Sequence, residues 1–360
     1  RPMRARRASC KGGILMLAAV LEGPRQLVLK DVPKPEPGPG DVVVRVAACG
    51  ICHTDYSAFT GARRNYKPPI IMGHEIAGVV DDVGPGVEGL DRGDEVIVSP
   101  AVYCGRCRMC RLGLHHYCEH GAVIGGDGFP RVLDGGFAEY VRVPAGSVFR
   151  KPSGLSFTAA ALTEPLAGSY KGLIEYSQMR VGEDVVIIGA GSMGLLLTQI
   201  AKAAGAGRLV LIDVEQYKLE RALECGATHI INSRAKDPVE SVREILPAGP
   251  DIVFEAAGVL EAASLAFRLC RKGTRVNMFG VIVPGTVEVS PATIHFTEIR
   301  MDASFSVTPR VMTKAIDLME KGLVNPERIV THRLPLARIH EAMDLMEQPQ
   351  RIKVVIENAT

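Results

Sequence analysis

The sequence has 360 residues, more than one ordinary hydrophobic core accommodates, so its length predicts two domains. Hydrophobic residues make up 47% and charged residues 23%, which is typical of a globular protein, and no apolar run of about 18 residues predicts a membrane span. Without the five basic residues of the first eleven positions, 37 basic side chains stand against 40 acidic ones, which excludes the basic surface that nucleic-acid binding requires.

The N-terminal segment combines basic residues with the apolar run ILMLAAVL, as a signal peptide does, but no small-residue cleavage site follows. The run instead predicts a first β-strand with LVLKDV as its hairpin partner. Residues 1–13 are expected to form a disordered extension, with an Arg-rich organellar presequence as the alternative. The runs DVVVRVAA, EIAGVVDDVG, DEVIVSP and EYVRVP follow between Gly and Pro turns and predict an antiparallel β domain.

Two motifs of this β domain carry candidate metal ligands. CGICHTD contributes Cys52 and GHE contributes His74, while Glu75 or Glu164 (in LTEPLAG) supplies an oxygen. These donor types suit Zn²⁺, and three protein ligands leave the open coordination position that a catalytic site requires. Asp55 is expected to accept a hydrogen bond from His74 and so to select its tautomer.

A dense cysteine cluster follows in CGRCRMCRLGLHHYC, with Cys104, Cys107, Cys110 and Cys118. Nine cysteines in a chain this long do not indicate a disulfide scaffold, and CxxC spacing in a reducing compartment favours a metal site, so the cytoplasm is the expected location. The spacing is compatible with a catalytic centre, a nucleic-acid reader or a structural staple. The chain has no Trp and 5% aromatic residues, which disfavours the nucleic-acid reader.

From about residue 166 to 305 the pattern changes to strand, glycine turn and amphipathic helix. The predicted strands are DVVIIGAG, RLVLIDV, THIINS, DIVFEAAG and TRVNMFG, and the predicted helices are MGLLLTQIAKAAG, EQYKLERALECG and LEAASLAFRLCRKG. This alternation predicts a parallel sheet covered on both faces. The remaining chain returns to a mixed pattern, with a helix at TPRVMTKAIDLMEKG and a terminal strand at RIKVVIEN.

The first of these strand-to-helix turns has the GxGxxG spacing, with Gly189, Gly191 and Gly194. The first glycine permits a tight turn, the second lets the backbone approach a pyrophosphate, and the third lets the helix pack closely. Asp213 ends the next strand, where its carboxylate can accept a hydrogen bond from a ribose 2′-hydroxyl and repel a 2′-phosphate. Lys218 lies one helical turn further on, within reach of the same ribose. The motif therefore predicts binding of NAD(H) in preference to NADP(H).

CHTD, GHE, the cysteine cluster, EPL and the later GxGxxG together resemble the zinc-dependent medium-chain dehydrogenases, over nearly the whole chain from about residue 16. The resemblance implies an α/β fold in which a GroES-like catalytic domain over 14–165 and 307–360 is interrupted by a Rossmann NAD-binding domain over 166–306. The doubly wound parallel sheet belongs to the Rossmann domain. The active site is then expected in the cleft between the two domains.

The same resemblance implies roles for individual residues. Cys52 matches a zinc ligand, Thr54 matches the residue that relays the alcohol proton, and His53 matches a residue near the pyrophosphate. Glu75 matches the usual resting ligand of polyol-type relatives, with Glu164 holding the bound water, and we expect the two carboxylates to exchange because both bound at once would leave the site with a net negative charge. The four clustered cysteines are expected to bind a second, structural zinc ion, so that each chain holds two.

The implied activity is hydride transfer between a secondary alcohol, diol or polyol and NAD(H), with Zn²⁺ as Lewis acid and Thr54 accepting the alcohol proton. Ser57 stands where many relatives complete the proton relay with His. Glu164 in EPL resembles the polyol and threonine dehydrogenase branches, but Ser306 and Val307 replace the Arg-Tyr pair usual in polyol dehydrogenases. The alternatives are oxidation of an amino alcohol as by an L-threonine 3-dehydrogenase, a zinc-free quinone-type reductase, and a non-catalytic zinc-stabilised binding protein.

Further expectations concern the cofactor and the partners. Additional cofactor contacts are expected from Ser192, Met193, Gly258, Gly280, Val281 and Lys353. The partners are a small-molecule alcohol or carbonyl substrate and further copies of the chain, with no nucleic acid and no membrane. TRVNMFGVIVPG and RMDASFSV resemble the edge strands of the family's subunit interface, so a homo-oligomer is expected, either a dimer or a homotetramer.

Overall fold

A computed structural model describes residues 13–63, 66–126, 128–282 and 285–358. The chain divides into two compact units, the first comprising residues up to 164 and from 331 onward, the second comprising residues 165–330. The extension expected over 1–13 lies, apart from Gly13, outside the described residues. Within the described ranges, no helix has the length and apolar character needed to cross a bilayer.

The strands, in chain order, are β1 (Leu15–Gly23), β2 (Gln26–Pro33), β3 (Asp41–Ile51), β4 (Ile70–Ile71), β5 (Glu75–Val83), β6 (Glu95–Val98), β7 (Ala101–Val102), β8 (Ala122–Ile124), β9 (Arg131–Leu133), β10 (Tyr140–Pro144), β11 (Val148–Arg150), β12 (Val185–Ile188), β13 (Leu209–Asp213), β14 (His229–Asn232), β15 (Ile252–Glu255), β16 (Arg275–Met278), β17 (Arg300–Ala303), β18 (Val330–Leu334) and β19 (Lys353–Glu357).

The α-helices are α1 (His53–Phe59), α2 (Arg108–Arg111), α3 (Phe157–Ala161), α4 (Thr163–Tyr170), α5 (Ser192–Ala203), α6 (Gln216–Cys225), α7 (Pro238–Ile245), α8 (Leu260–Arg268), α9 (Pro291–Thr297), α10 (Pro309–Glu320) and α11 (Ile339–Leu345). A π-helical turn covers Lys171–Tyr176, and short 3₁₀ turns cover His115–Tyr117, Ala145–Ser147, Pro326–Ile329 and Leu336–Arg338.

The first unit is built on a seven-stranded sheet in the order β11-β6-β5-β3-β19-β18, with β10 also paired to β3. β3 pairs antiparallel with β5, β10 and β19 and is buried over most of its length, which explains its nearly continuous apolar sequence DVVVRVAACGI. β1 and β2 form the expected hairpin, and β4 extends it to a three-stranded sheet. The predicted β domain is therefore confirmed, apart from β8 and β9, which pair in parallel.

The second unit contains a six-stranded parallel sheet in the order β14-β13-β12-β15-β16-β17. Its central strand β12, with the sequence VVII, is buried throughout because helices cover the sheet. The pairings Ile188↔Ile212 and Ile188↔Glu255 bring the carboxyl ends of β12, β13 and β15 to one edge. In a doubly wound sheet this edge is where ligands bind.

The boundary after the second unit falls at residue 330, later than the 306 expected from the sequence. Arg310 in α10 donates a hydrogen bond of 2.6 Å to Glu175, and the backbone N–H of Asn325 donates one of 3.0 Å to Gln199. These contacts attach α10 and the turn after it to the second unit. The structure also contains α7, which the sequence pattern did not predict; Asp237 caps it by accepting hydrogen bonds from the N–H groups of Val239 and Glu240.

Candidate active site

Three predicted metal ligands meet within the first unit. Cys52 stands at the N-terminal cap of α1, His74 directly precedes β5, and Glu75 is the first residue of β5. A sulfur, a ring nitrogen and a carboxylate oxygen of these residues all lie within 4.8 Å of one another. Gly73 precedes His74 with a φ of +95°, and a Cβ there would lie 2.7 Å from the ring of Phe137. Only glycine fits this turn, which aims His74 at the cluster.

Asp55 supports the cluster from α1. One of its oxygens accepts a 2.9 Å hydrogen bond from the N–H of Cys52, and the other lies 3.4 Å from Nδ1 of His74. Burial by itself would lower the pKa of His74, but the carboxylate of Asp55 and the sulfur of Cys52 raise it overall. Thr54 places its hydroxyl 3.6 Å from the Cys52 sulfur, next to the cluster, where the proton relay was expected.

Lys353 forms a contact with the cluster that sequence reasoning missed. Its ammonium is buried and donates to Oε1 of Glu75 at 2.5 Å and to the carbonyl of Ile51 at 3.0 Å. Burial would lower the pKa of Lys353, but Glu75 and Cys52 raise it, so the lysine stays charged. The predicted role of Lys353 toward the cofactor stays a prediction. Its pairing with Glu75 spans 278 positions of the chain, so no local pattern signals it.

Glu164 lies close to the cluster but outside the tight group of ligand atoms. Burial raises its pKa to about 7, with Glu75 and Asp55 adding to the shift and His74 and Lys353 opposing it. The pKa of the Glu164 carboxylate thus depends on the charges of these four residues. Of the two carboxylates expected to bind the metal, the structure brings Glu75 together with Cys52 and His74.

This donor set fits a catalytic Zn²⁺ ion. Thiolate, imidazole and carboxylate are zinc ligands, and three of them leave a position open. Oε2 of Glu75 is buried, and no group of the described residues donates a hydrogen bond to it. An unsatisfied buried carboxylate oxygen is costly, and a bound cation would satisfy it.

The four clustered cysteines form a second group, with their sulfur atoms within 4.8 Å of one another. Backbone N–H groups point at the sulfurs: Cys107 donates to Cys104 at 3.3 Å, Cys110 to Cys107 at 3.5 Å, and Cys104 to Cys118 at 3.3 Å. The N–H groups of Cys110 and Glu119 lower the pKa of Cys107 to about 6. Such N–H donors stabilise thiolates, the form that binds metal. Four thiolates fit a closed structural Zn²⁺ site with no position for substrate.

The glycine turn of the second unit has the geometry of a dinucleotide cradle. A Cβ on Gly189, which has a φ of +105°, would lie 2.8 Å from the N of Ala257, and one on Gly194 would lie 1.8 Å from the carbonyl oxygen of Gly189. A Cβ on Gly191 would meet no atom within 4 Å among the described residues, so space for a ligand is open there. Gly191 caps α5, and Ser192 and Met193 are the first residues of that helix. The N-terminus of α5 thus faces open space suited to a pyrophosphate.

Asp213 stands at the end of β13, beside the glycine turn. One of its oxygens accepts a hydrogen bond of 2.6 Å from the N–H of Ala190, and the other accepts one of 2.9 Å from the N–H of Glu215. Each carboxylate oxygen has a second lone pair, so Asp213 can still accept a hydrogen bond from a ribose hydroxyl. Lys218 is half-buried in the first turn of α6.

Glu255, at the end of β15, is a further residue that the sequence reasoning did not single out. Its Oε1 accepts hydrogen bonds from the N–H groups of Ala257 at 2.9 Å and Gly258 at 2.7 Å, and a Cβ on Gly280 would lie 2.4 Å from its Oε2. The Glu255 carboxylate therefore holds the expected cofactor loop at 258, and the Glu255 backbone carbonyl accepts a hydrogen bond of 2.8 Å from the N–H of Gly280 in the second expected loop. Val281 is exposed beside them. An acid ending the apolar run DIVFE was the available signal.

Comparison with known proteins agrees with both units. The family model of the alcohol dehydrogenase GroES-like domain matches residues 38–153, and that of zinc-binding dehydrogenase matches residues 192–321. L-threonine 3-dehydrogenase of Bacillus velezensis is 33% identical over 91% of this chain and 94% of its own length. The chain belongs to the zinc-dependent medium-chain dehydrogenase family. Sorbitol dehydrogenase of Bacillus subtilis is a further member, 32% identical over 95% of this chain and 97% of its own.

Solved structures of a zinc-binding dehydrogenase and an alcohol dehydrogenase share the fold. A zinc-binding dehydrogenase of Sinorhizobium meliloti 1021 bound to NADP matches with a TM-score of 0.89 and 34% identity over 95% of this chain and 99% of its own. An alcohol dehydrogenase of E. coli CFT073 complexed with NADH matches with a TM-score of 0.87 and 29% identity over 95% and 99%. The predicted GroES-like and Rossmann fold is confirmed, as is the prediction of an alcohol or polyol dehydrogenase. The cofactor is NAD(H) or NADP(H).

Proposed function

We propose that this chain is an NAD-dependent dehydrogenase of a secondary alcohol, diol or polyol, with two zinc ions per chain. The observation that carries the proposal is the convergence of Cys52, His74 and Glu75 to within 4.8 Å, with the Thr54 hydroxyl beside them. When bound there, Zn²⁺ supplies a Lewis acid for the substrate oxygen, and the nicotinamide supplies the hydride acceptor.

Residues of the chain itself bind the metal, orient its ligands and transfer the proton. Cys52, His74 and Glu75 hold the metal, and Asp55 orients His74. The hydroxyl of Thr54 accepts the proton of the substrate alcohol and passes it on toward the cofactor ribose. Since Ser57 replaces the histidine usual in relatives, the proton leaves through water or another group.

The second metal and the cofactor residues complete the proposal. Cys104, Cys107, Cys110 and Cys118 hold a structural zinc ion that closes their loop. The cofactor contacts are those expected from the sequence: His53, Gly189, Gly191, Ser192, Met193, Gly194, Asp213, Lys218, Gly258, Gly280, Val281 and Lys353. Asp213 favours NAD(H) because it would face a 2′-phosphate with a like charge.

A second substrate class is the amino alcohol L-threonine. Several relatives named L-threonine 3-dehydrogenase are 33–35% identical to this chain over more than 90% of it, and Glu164 stands in the EPL motif that resembles that branch. A secondary alcohol, diol or polyol is the first proposed substrate class, as the sequence predicts, and one assay distinguishes it from L-threonine.

We further propose that the protein is a cytoplasmic homo-oligomer, a dimer or a tetramer. Among the described residues, none of the eight cysteines forms a disulfide, which is typical of proteins in a reducing compartment. β17 is the edge strand of the parallel sheet, and Met301 on it and Phe296 before it are 63% and 74% exposed. An exposed apolar strand edge is typically covered by a partner.

The test is an absorbance assay of nicotinamide reduction with NAD⁺ and NADP⁺, over simple alcohols, diols, polyols and L-threonine, with zinc content measured on the same preparation. We expect turnover with NAD⁺, a preference for one of these alcohol classes, and about two zinc ions per chain. Equal use of NADP⁺ contradicts the cofactor assignment. A zinc-loaded protein that binds NADH but oxidises none of these compounds contradicts the substrate assignment.

A further inference from the structure

An ion pair joins the loops that follow two neighbouring strands of the parallel sheet. It lies at the same edge of the sheet as Asp213, which is expected to bind the cofactor ribose. β13 and β14 are parallel neighbours with Asp213 paired to Asn232, so the residues that follow the two strands lie side by side. Glu215 follows β13 and Arg234 follows β14, and Nη1 of Arg234 lies 3.0 Å from Oε1 of Glu215. The N–H of Ser233 donates to the carbonyl of Asp213 at 3.0 Å, which ties the two loops together.

This edge of the sheet combines a group that favours NAD with a group that favours NADP. In dinucleotide-binding sheets a carboxylate after the second strand accepts the ribose 2′-hydroxyl of NAD, whereas a nearby Arg accommodates the 2′-phosphate of NADP. This chain has both groups, Asp213 and Arg234. The chain's preference for NAD or NADP therefore depends on whether Arg234 can reach the 2′-phosphate of NADP.

Asp213 by itself repels a phosphate less than a free carboxylate would. Its two oxygens already accept N–H groups from Ala190 and Glu215, whose partial positive charges offset part of its negative charge. Glu215 differs: among the described residues its side chain makes no capping hydrogen bond to α6, although it stands at the N-cap position. Its carboxylate is thus available to Arg234.

We propose that Glu215 and Arg234 form a latch that selects between the two dinucleotides, an inference that rests on the proposed NAD-dependent function. Glu215 holds the guanidinium of Arg234 and keeps it from a 2′-phosphate, and its own charge lies next to the position that the phosphate would occupy. Without Glu215, Arg234 turns to the phosphate and makes charge-assisted, bidentate hydrogen bonds with it.

The pair can be broken without unfolding the protein. The side chain of Arg234 is 65% exposed and that of Glu215 27% exposed. An exposed ion pair contributes little to stability, about 0–1 kcal/mol. Glu224→Gln provides a matched control, because it removes an exposed carboxylate paired with Arg221 at 2.6 Å on the same helix α6.

The experiment measures NADH and NADPH binding by titration calorimetry at one salt concentration, in the parent, Glu215→Gln, Glu215→Gln/Arg234→Ala, Asp213→Ser and the Glu224→Gln control. Glu215→Gln is expected to tighten NADPH binding about tenfold, with NADH changed less than about twofold, because one charge-assisted contact to phosphate is gained. The added Arg234→Ala should remove that gain. The control should leave both affinities as in the parent.

The latch is overturned if Glu215→Gln does not tighten NADPH binding, or if the double variant keeps the whole gain, since Glu215 would then act by its own charge alone. The failure of the proposed NAD preference is a separate outcome, seen as equal binding of NADH and NADPH by the parent. If the parent prefers NADH, Asp213→Ser abolishes the preference and Glu215→Gln leaves NADPH binding unchanged, the NAD assignment stands and the latch falls.

Discussion

At the scale of single residues, the two carboxylates near the catalytic ligands differ in position, and this predicts different roles. Glu75 lies within the ligand group, whereas Glu164 lies outside it. Glu75→Ala should therefore lower zinc occupancy of this site more than Glu164→Ala does, because it removes a ligand and also leaves the buried ammonium of Lys353 unpaired. Glu164→Ala should mainly reduce turnover. Elemental analysis for zinc and steady-state kinetics on the same samples measure the two effects.

Glu88→Ala, which changes an exposed carboxylate of the same unit, is the control for this pair and should retain the parent's zinc and turnover. The opposite pattern, with zinc lost from Glu164→Ala and kept by Glu75→Ala, would mean that Glu164 is the resting ligand and Glu75 the residue that serves turnover.

At the scale of elements, the cysteine loop has little regular structure to hold it. α2 has four residues and the following 3₁₀ turn has three, and the cluster that packs there consists of the cysteines with Tyr103, Met109 and Phe129 against them. Since so few apolar contacts stabilise the loop, the metal has to do so. Cys107→Ser should remove about one zinc ion per chain and lower the free energy of unfolding by at least about 2 kcal/mol.

Zinc content and denaturant unfolding test this prediction. Cys270→Ser is the matched control: the thiol of Cys270 donates to the carbonyl of Ala266 at 3.1 Å in the second unit, and a serine hydroxyl can make the same bond. A Cys107→Ser variant as stable as the parent would show that the loop does not depend on the metal.

At the scale of the whole molecule, the outer edge of β17 predicts self-association. The strand exposes three of its four residues, and Phe296 in α9 adds a large apolar ring nearby in sequence. We expect light scattering at micromolar concentration to give a dimer or tetramer, and Met301→Glu to shift the protein toward smaller species because it buries a charge at the strand edge.

Leu323→Glu is the control for assembly, since Leu323 is 53% exposed in the turn after α10 and is not part of β17. It should leave the mass unchanged. A parent protein that scatters as a monomer at this concentration would contradict the proposed assembly.

What the sequence determined by itself is local in origin. The glycine turn at 189–194 and the alternation of strands and helices depend on neighbouring residues, so their spacing predicted a dinucleotide-binding turn and a parallel sheet. The spacing of the cysteine cluster at 104–118 favoured a metal site, and its structural role was implied by the resemblance to the dehydrogenase family. The sequence pattern did not predict the helix α7, because PVESVREI is short and has few apolar residues. Asp237, which caps this helix, is also a residue typical of loops.

The contacts decided only by the tertiary structure join residues far apart in the chain. Lys353 reaches Glu75 across 278 positions because β19 pairs with β3 in the same sheet as β5, and Arg234 reaches Glu215 because β14 lies beside β13. α10 belongs to the second unit through side-chain contacts that no periodicity encodes. Strand order and the burial of charged groups arise from packing the whole sheet, so the partner of each buried charge is known only once the chain is folded.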